Sequence, residues 1–274
     1  MTERQGARRP RFPVALERLD RPGVATQPRT TLRPQRPMHE AHRDAARPST
    51  ASGLGLDSVA MRQRMVARLR AEGIRCAPVF DAMSLVPRHV FVDTALANQA
   101  YEDTSLPIGL DQTISKPSVV ARMVELLFDG QTAHGSGSLG RVMEIGTGCG
   151  YQTALLAQMA RHVVSIERLG PLLDKAIQHL PPWRGDRVRL VHGDGRLGHA
   201  PQAPYDSIIA AAGGDDLPEA WLAQLAVGGR LVAPCQRSGG RGQVLVVVDR
   251  NASGCVRTEH EAVRFVPLKS GFAR

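Results

Sequence analysis

The stretch VMEIGTGCGYQTALLAQM, residues 142–159, constrains this chain more than any other. An apolar, strand-like run meets glycines at positions 146, 148 and 150 and passes directly into helix-forming residues. A strand that ends in glycines and feeds a helix lets a ligand lie against bare backbone, because no Cβ intervenes, and the helix start offers amides without partners. The spacing is GxGxG, not the GxGxxG that seats a pyrophosphate, and Glu144 stands two residues before the first glycine. An anion beside that carboxylate would be repelled, whereas a ligand carrying positive charge would not.

Strand and helix patterns alternate from there on. RVMEIG, HVVSIE, VRLVHGD, DSIIAAA and RLVAPC read as strands, with helices around 151–160, 171–180 and 218–226. Strands too apolar to keep a wet face imply a parallel sheet covered on both sides. QVLVVVDRN and VRTEHEAVRFVPL flank the turn signal NASG and predict a closing antiparallel pair. Upstream, Val59, Met65, Val66 and Leu69 recur at helical spacing. APVFDAMSLVP gives a second helix stopped by Pro87, and RHVFVDTALANQAYED a third. Pro107 and Gly109 break the pattern. Pro117 then opens a helix whose buried stripe is Val119, Val120, Met123, Leu126 and Leu127, and GQTAHGSGSLG reads as a flexible connector. The predicted fold is α/β and Rossmann-like: a mostly parallel, doubly wound sheet with an antiparallel C-terminal strand and an N-terminal helical subregion. Residues 57–274 form the domain, split into a helical part at 57–130 and an α/β part at 141–274.

Two further acids follow the glycine loop at successive strand ends. Glu167 closes HVVSIE, where a carboxylate can accept from both hydroxyls of a ribose; charge-assisted bonds of this kind contribute about 1.5–3 kcal/mol each. Asp194 and Gly195, in HGDGR, reach the same sheet edge, where an adenine amino group can be read. Glu144, Glu167 and Asp194 around Gly146, Gly148, Gly150 and Gly195 suit a nucleoside that carries positive charge. S-adenosylmethionine has both a sulfonium and an ammonium.

Composition narrows the setting. The chain has 274 residues, 42% of them hydrophobic, enough for a sizeable core. No apolar run approaches the roughly 18 residues of a membrane span, and the first residues lack the apolar core of a secretory leader. The net charge of +9 is concentrated in residues 1–50, where 11 arginines face 5 acids, giving +6. Residues 1–56 are Arg/Pro-rich and expected to be disordered; a solvated tail is the plain reading, an RNA-binding or membrane-surface arm the functional one, and Met38 and Met61 offer later starts. Cys76, Cys149, Cys235 and Cys255 are too scattered for a knuckle or a disulfide frame, which points to the cytoplasm, and the histidines show no HExxH, so no metal is expected.

LPIGLDQTIS, VMEIGTGCGYQTALLA, SIER, HGDGR and EAVRFVPL together resemble the protein-L-isoaspartate O-methyltransferase family, over residues 57 to near the end. The segment before residue 57 has no part in that resemblance. Cys149 stands where a serine or another small residue is usual, and reads as a small side chain filling a tight loop; a redox-sensitive thiol is the other reading. The resemblance implies methyl transfer from S-adenosylmethionine to the free α-carboxylate of L-isoaspartyl residues in damaged proteins. It implies that Ser115 of QTIS orients that carboxylate, that Gln112 and Thr113 close over the cofactor, and that Glu144 assists through water or the loop amides. It also implies isoaspartyl-containing peptides and damaged proteins as partners; a monomer is expected, though the sequence does not fix the oligomeric state. An already ionised acceptor needs no strong base, so the absence of a His-Asp or Cys-His pair is expected.

Other readings remain open on sequence alone. An NAD-dependent oxidoreductase shares the sheet and Glu167, but not the glycine spacing. A nucleic-acid methyltransferase would explain the basic tail, yet IIAAAGGDD stands where [DN]PP[YF] is common. An RNA-binding protein on a methyltransferase fold predicts salt-dependent affinity that vanishes with residues 1–50.

Overall fold

In the computed structural model the described residues are 59–273, all within one compact unit. The expectations for residues 1–56 fall outside them. The first amphipathic run folds as α1 (Val59–Ala71) and buries Met65, Val66 and Leu69. The second forms α2 (Ala77–Leu85), with a proline in its first turn, and stops before Pro87. The third predicted helix is instead two 3-10 segments, Arg88–Phe91 and Thr94–Gln99. Val90 and Val92 are poor helix formers, and the Asp93 carboxylate accepts from Ala95 N at 2.9 Å, so the chain restarts there.

Where sequence showed only breakers, the chain makes a hairpin of β1 (Leu106–Gly109) and β2 (Gln112–Ile114). Leu110 and Asp111 turn it in the left-handed region, at φ 53° and 56°. Two left-handed residues match the twist of the flanking strands, but Leu-Asp is not the Asn-Gly signal that announces such a turn. Helix α3 (Pro117–Phe128) follows and buries Val120, Met123, Leu126 and Leu127. The expected connector contains one more helix, α4 (Gln131–Ser136), ended by Gly137 at φ 67°. Thr132 Oγ1 fastens it by donating to Gly228 O at 2.8 Å, a tertiary contact that composition does not announce.

Seven strands build the central sheet: β3 (Arg141–Ile145), β4 (His162–Glu167), β5 (Val188–His192), β6 (Tyr205–Ala210), β7 (Leu225–Gln236), β8 (Gln243–Asn251) and β9 (Gly254–Val263). They lie in the order β5-β4-β3-β6-β7-β8-β9. The first five in that row are parallel; β8 is antiparallel to β7, and β9 to β8. Helix α5 (Tyr151–Met159) links β3 to β4, α6 (Gly170–His179) and α7 (Pro181–Arg184) lie between β4 and β5, and α8 (Glu219–Gln224) lies between β6 and β7.

Strand residues divide by parity. Val142, Val163, Ile209 and Val232 join the core formed with the N-terminal helices and α5, while Met143, Val164, Ile208 and Leu231 pack on the other face with Trp221. Both faces of the central strands β3, β4 and β6 are dry, each buried aliphatic side chain contributing about 1.5–3 kcal/mol, which is why they read as apolar runs, whereas the edge strands β5 and β9 keep exposed residues. The winding reverses between β3 and β6. In an open parallel sheet that reversal leaves a crevice beyond the strand ends, and the glycine loop lies at its mouth.

Candidate active site

Gly148 adopts φ +55° and Gly150 +94°, conformations open to glycine at little cost, and they bend the chain from β3 into α5. The amides of Gly146 and Thr147 donate to Ile166 O at 2.9 and 3.3 Å, so the loop leans on β4. Gly148 N donates to Glu167 Oε2 at 2.8 Å. The other oxygen of Glu167 accepts from Arg168 N at 2.9 Å and Leu169 N at 3.0 Å. Glu167 is 5% exposed, and what it exposes faces the crevice.

Of the sequence-predicted residues, Gln112, Thr113, Gly146, Gly148, Glu167 and Gly195 line that crevice. Gly195 sits so close to Ile145 that a Cβ would come within 2.5 Å of its Cγ2. Glu144, Gly150 and Asp194 are not on the crevice wall. Asp194 accepts from Arg196 N at 2.9 Å and from Gly271 N at 2.6 Å, capping a short turn and anchoring the C-terminal segment. Glu144 is wholly buried behind the loop, where Gln152 Nε2, Thr153 Oγ1 and Ser165 Oγ donate to it at 3.1, 2.5 and 2.7 Å. Burial pushes its carboxyl up to about 7, against the pull of the three donors. Cys149 is 4% exposed, and burial pushes its thiol up to about 11, the state of a packed side chain and not of a reactive thiolate.

The C-terminal segment after β9, read from sequence as part of the closing strand, supplies a wall instead. Val266, Pro267, Leu268 and Lys269 border the crevice, held by Gly213 N to Val266 O at 2.9 Å and Leu268 N to Gly213 O at 2.8 Å. A second, larger cavity of about 940 Å³ opens beside it, with Ser115, Lys116, Arg122 and Phe265 in its walls. Both cavities touch Thr113, Ala211 and Val266, so they meet there.

Ser115 lines the larger cavity, half-buried, and its hydroxyl makes no hydrogen bond with the described residues. It does not cap α3. Asp103 does, accepting from Ser118 N and Ser118 Oγ, each at 2.8 Å. Across the same cavity Arg122 joins α3 to β9, donating from Nε to Glu261 at 2.7 Å and from Nη1 to Glu125 at 2.9 Å. Among the described residues no cluster of His, Cys, Asp or Glu is arranged to hold a metal ion, and no helix is long and apolar enough to cross a membrane.

The smaller crevice offers a carboxylate at a strand end, glycine backbone open to close approach, and the apolar side chains of Ile145, Ile166 and Leu172. A switch-point crevice with this acid, beside a sheet that ends antiparallel, defines a Rossmann-like S-adenosylmethionine-dependent methyltransferase. A family model for protein-L-isoaspartate(D-aspartate) O-methyltransferase matches residues 60–273. The chain belongs to that family. It is 62% identical over 263 residues to the protein-L-isoaspartate O-methyltransferase of Methylibium petroleiphilum, covering 96% of each chain, so that match reaches into the segment before residue 57. It is 56% identical to the enzyme of the same name from Leptothrix cholodnii, over 99% of this chain and 98% of the other. A solved protein-L-isoaspartate O-methyltransferase superposes with a TM-score of 0.66 at 26% identity, over 77% of this chain and 67% of that one. A Plasmodium falciparum structure described as such an enzyme, in complex with S-adenosyl-L-homocysteine, shares the fold with a TM-score of 0.64 at 23% identity, over 76% and 98%.

Proposed function

We propose that this chain methylates the free α-carboxylate of L-isoaspartyl residues in damaged proteins and peptides, with the adenosyl crevice and the larger cavity holding the two reactants. The observation that carries this reading is their junction at Thr113, Ala211 and Val266, with the uncommitted Ser115 hydroxyl on the cavity side. When bound, S-adenosylmethionine supplies a methyl group activated by its sulfonium, and the sulfur retains the bonding electron pair as that methyl passes to the substrate oxygen.

The chain's own residues bind, orient and keep the junction dry. Glu167 accepts from the ribose hydroxyls with lone pairs that its three backbone amides leave free. Gln112 and Thr113, on the hairpin, close the crevice from above. Ser115 Oγ donates to the substrate α-carboxylate and aims its second oxygen at the junction, where Ala211 and Val266 exclude water. That carboxylate ionises at about 3.3–3.9, so it arrives as a nucleophile and no residue has to remove a proton. The ester then leaves the enzyme, the neighbouring backbone nitrogen attacks its carbonyl and expels methanol to close a succinimide, and hydrolysis of that ring returns part of the material as normal aspartate.

All four cysteines are free, which accords with a reducing cytoplasm. The chain works as a monomer, and the methyltransferase domain is assigned to residues 57–274. Labelled S-adenosylmethionine offered with matched isoaspartyl and aspartyl peptides tests the activity: base-labile label enters only the isoaspartyl peptide, and label in neither peptide refutes it.

A further inference from the structure

Glu144 does not line the crevice, yet it is wholly buried and accepts hydrogen bonds from three side chains. It lies in register between Ser165 of β4 and Ile209 of β6, facing the first turn of α5. Its three partners are donors: the Gln152 amide at 3.1 Å, the Thr153 hydroxyl at 2.5 Å and the Ser165 hydroxyl at 2.7 Å. Thr147, between the first two loop glycines, lies 2.6 Å from that same Ser165 oxygen.

Proton counting fixes the direction of this chain. A serine hydroxyl has one hydrogen, and Ser165 spends it on Glu144, so Thr147 must donate to Ser165. The middle of the glycine loop is thereby tethered, through one hydroxyl, to a carboxylate on the strand beneath. Gly148, the next residue, presents its N–H to Glu167 at 2.8 Å. No salt bridge to Glu144 exists among the described residues; the nearby titratable groups are Glu167 at the end of β4 and the Cys149 thiol in the loop, while β6 and α5 face it with uncharged residues. His179 of α6 touches the loop from outside, its Nδ1 3.3 Å from Cys149 O.

We propose that Glu144 is a positioning residue whose ionised carboxylate, acting through Ser165 and Thr147, sets the glycine loop in the conformation that receives the adenosyl group. Protonation gives the carboxyl a hydrogen of its own to donate, into a shell whose members already donate. One of the partners must then turn from donor to acceptor; when Ser165 does so its hydrogen passes to Thr147, and the tether loses the pull of a charged carboxylate behind it. Proton binding at Glu144 and nucleoside binding in the crevice therefore oppose each other. The inference rests on the crevice beside Glu167 being the adenosyl site.

The test is calorimetric titration of the full chain with S-adenosylhomocysteine between pH 6 and 8, which needs no turnover. The dissociation constant is expected to be about threefold to tenfold weaker at pH 6 than at pH 8. His179→Asn should keep that slope, and Glu144→Gln should abolish it. Ser165→Ala, which leaves the carboxylate in place and cuts the relay, should weaken binding at pH 8 by about threefold to tenfold; if Glu144→Gln does not fold, this variant carries the test. A slope unchanged in Glu144→Gln, or wild-type affinity in Ser165→Ala, overturns the role given to Glu144 while leaving the methyltransferase reading intact. Wild-type protein that binds no S-adenosylhomocysteine at any pH overturns both.

Discussion

Gly148 and Glu167 are joined by a 2.8 Å hydrogen bond from the loop amide to the carboxylate at the end of the neighbouring strand. The acid expected to grip a sugar thus also shapes the neighbouring glycine loop, and it does so while accepting from two further amides just beyond the end of β4. Removing its charge should therefore harm binding twice over. Glu167→Gln is expected to weaken S-adenosylmethionine binding by about tenfold to a hundredfold, given 1.5–3 kcal/mol per charge-assisted bond. Calorimetry giving an unchanged dissociation constant would take Glu167 away from the ribose.

Ser115 lines the larger cavity with its hydroxyl uncommitted, while Asp103 performs the capping that α3 requires. Ser115→Ala should lower kcat by about tenfold or more, through loss of a hydrogen bond to a charged group, while S-adenosylmethionine affinity and melting temperature stay close to wild type. Equal losses in turnover and cofactor affinity would contradict the role given to that hydroxyl.

Asp103→Ala supplies the contrast. Losing the bonds to Ser118 N and Oγ should destabilise the protein by about 0.5–2 kcal/mol, read as a lower denaturation midpoint in urea. A midpoint equal to that of the wild type would mean that α3 is held by packing alone.

Glu144 also leaves a signature in stability. Its ordinary value is 4.5, and burial lifts it to about 7 in the folded chain. Between those values the folded protein holds a proton that the unfolded chain has released, so this residue's contribution falls as pH rises from about 4.5 to 7 and is level above. Glu144→Gln removes that loss. Relative to wild type it should gain on the order of 3 kcal/mol in urea unfolding between pH 4.5 and pH 8. Parallel pH profiles for the two proteins would show that the buried carboxyl does not titrate in this range.

The sheet was legible because its strands are apolar on both faces and separated by helical runs. Glu167 was legible too, since an acid at the end of an apolar strand has few places to go but the sheet edge. The same apolarity hid the placement of Glu144: on a strand buried from both sides, nothing in the sequence says whether an acid points at the crevice or behind it. A signal did exist in Gln152 and Thr153, two polar residues opening a helix with no wet face, which require a buried polar partner. The hairpin of Leu106–Ile114 escaped because its strands have four and three residues and its turn is Leu-Asp. Val266 to Lys269 could not be placed as a wall, for what holds them is backbone pairing with Gly213, invisible in side-chain pattern.

A crystal structure of the protein with S-adenosylhomocysteine and an isoaspartyl peptide tests the arrangement most directly. The ribose hydroxyls should lie on Glu167 and the isoaspartyl α-carboxylate against Ser115 Oγ, pointing at the thioether sulfur across the junction of Thr113, Ala211 and Val266. A sugar turned away from Glu167, or a peptide lodged outside the cavity that Ser115 lines, would contradict it.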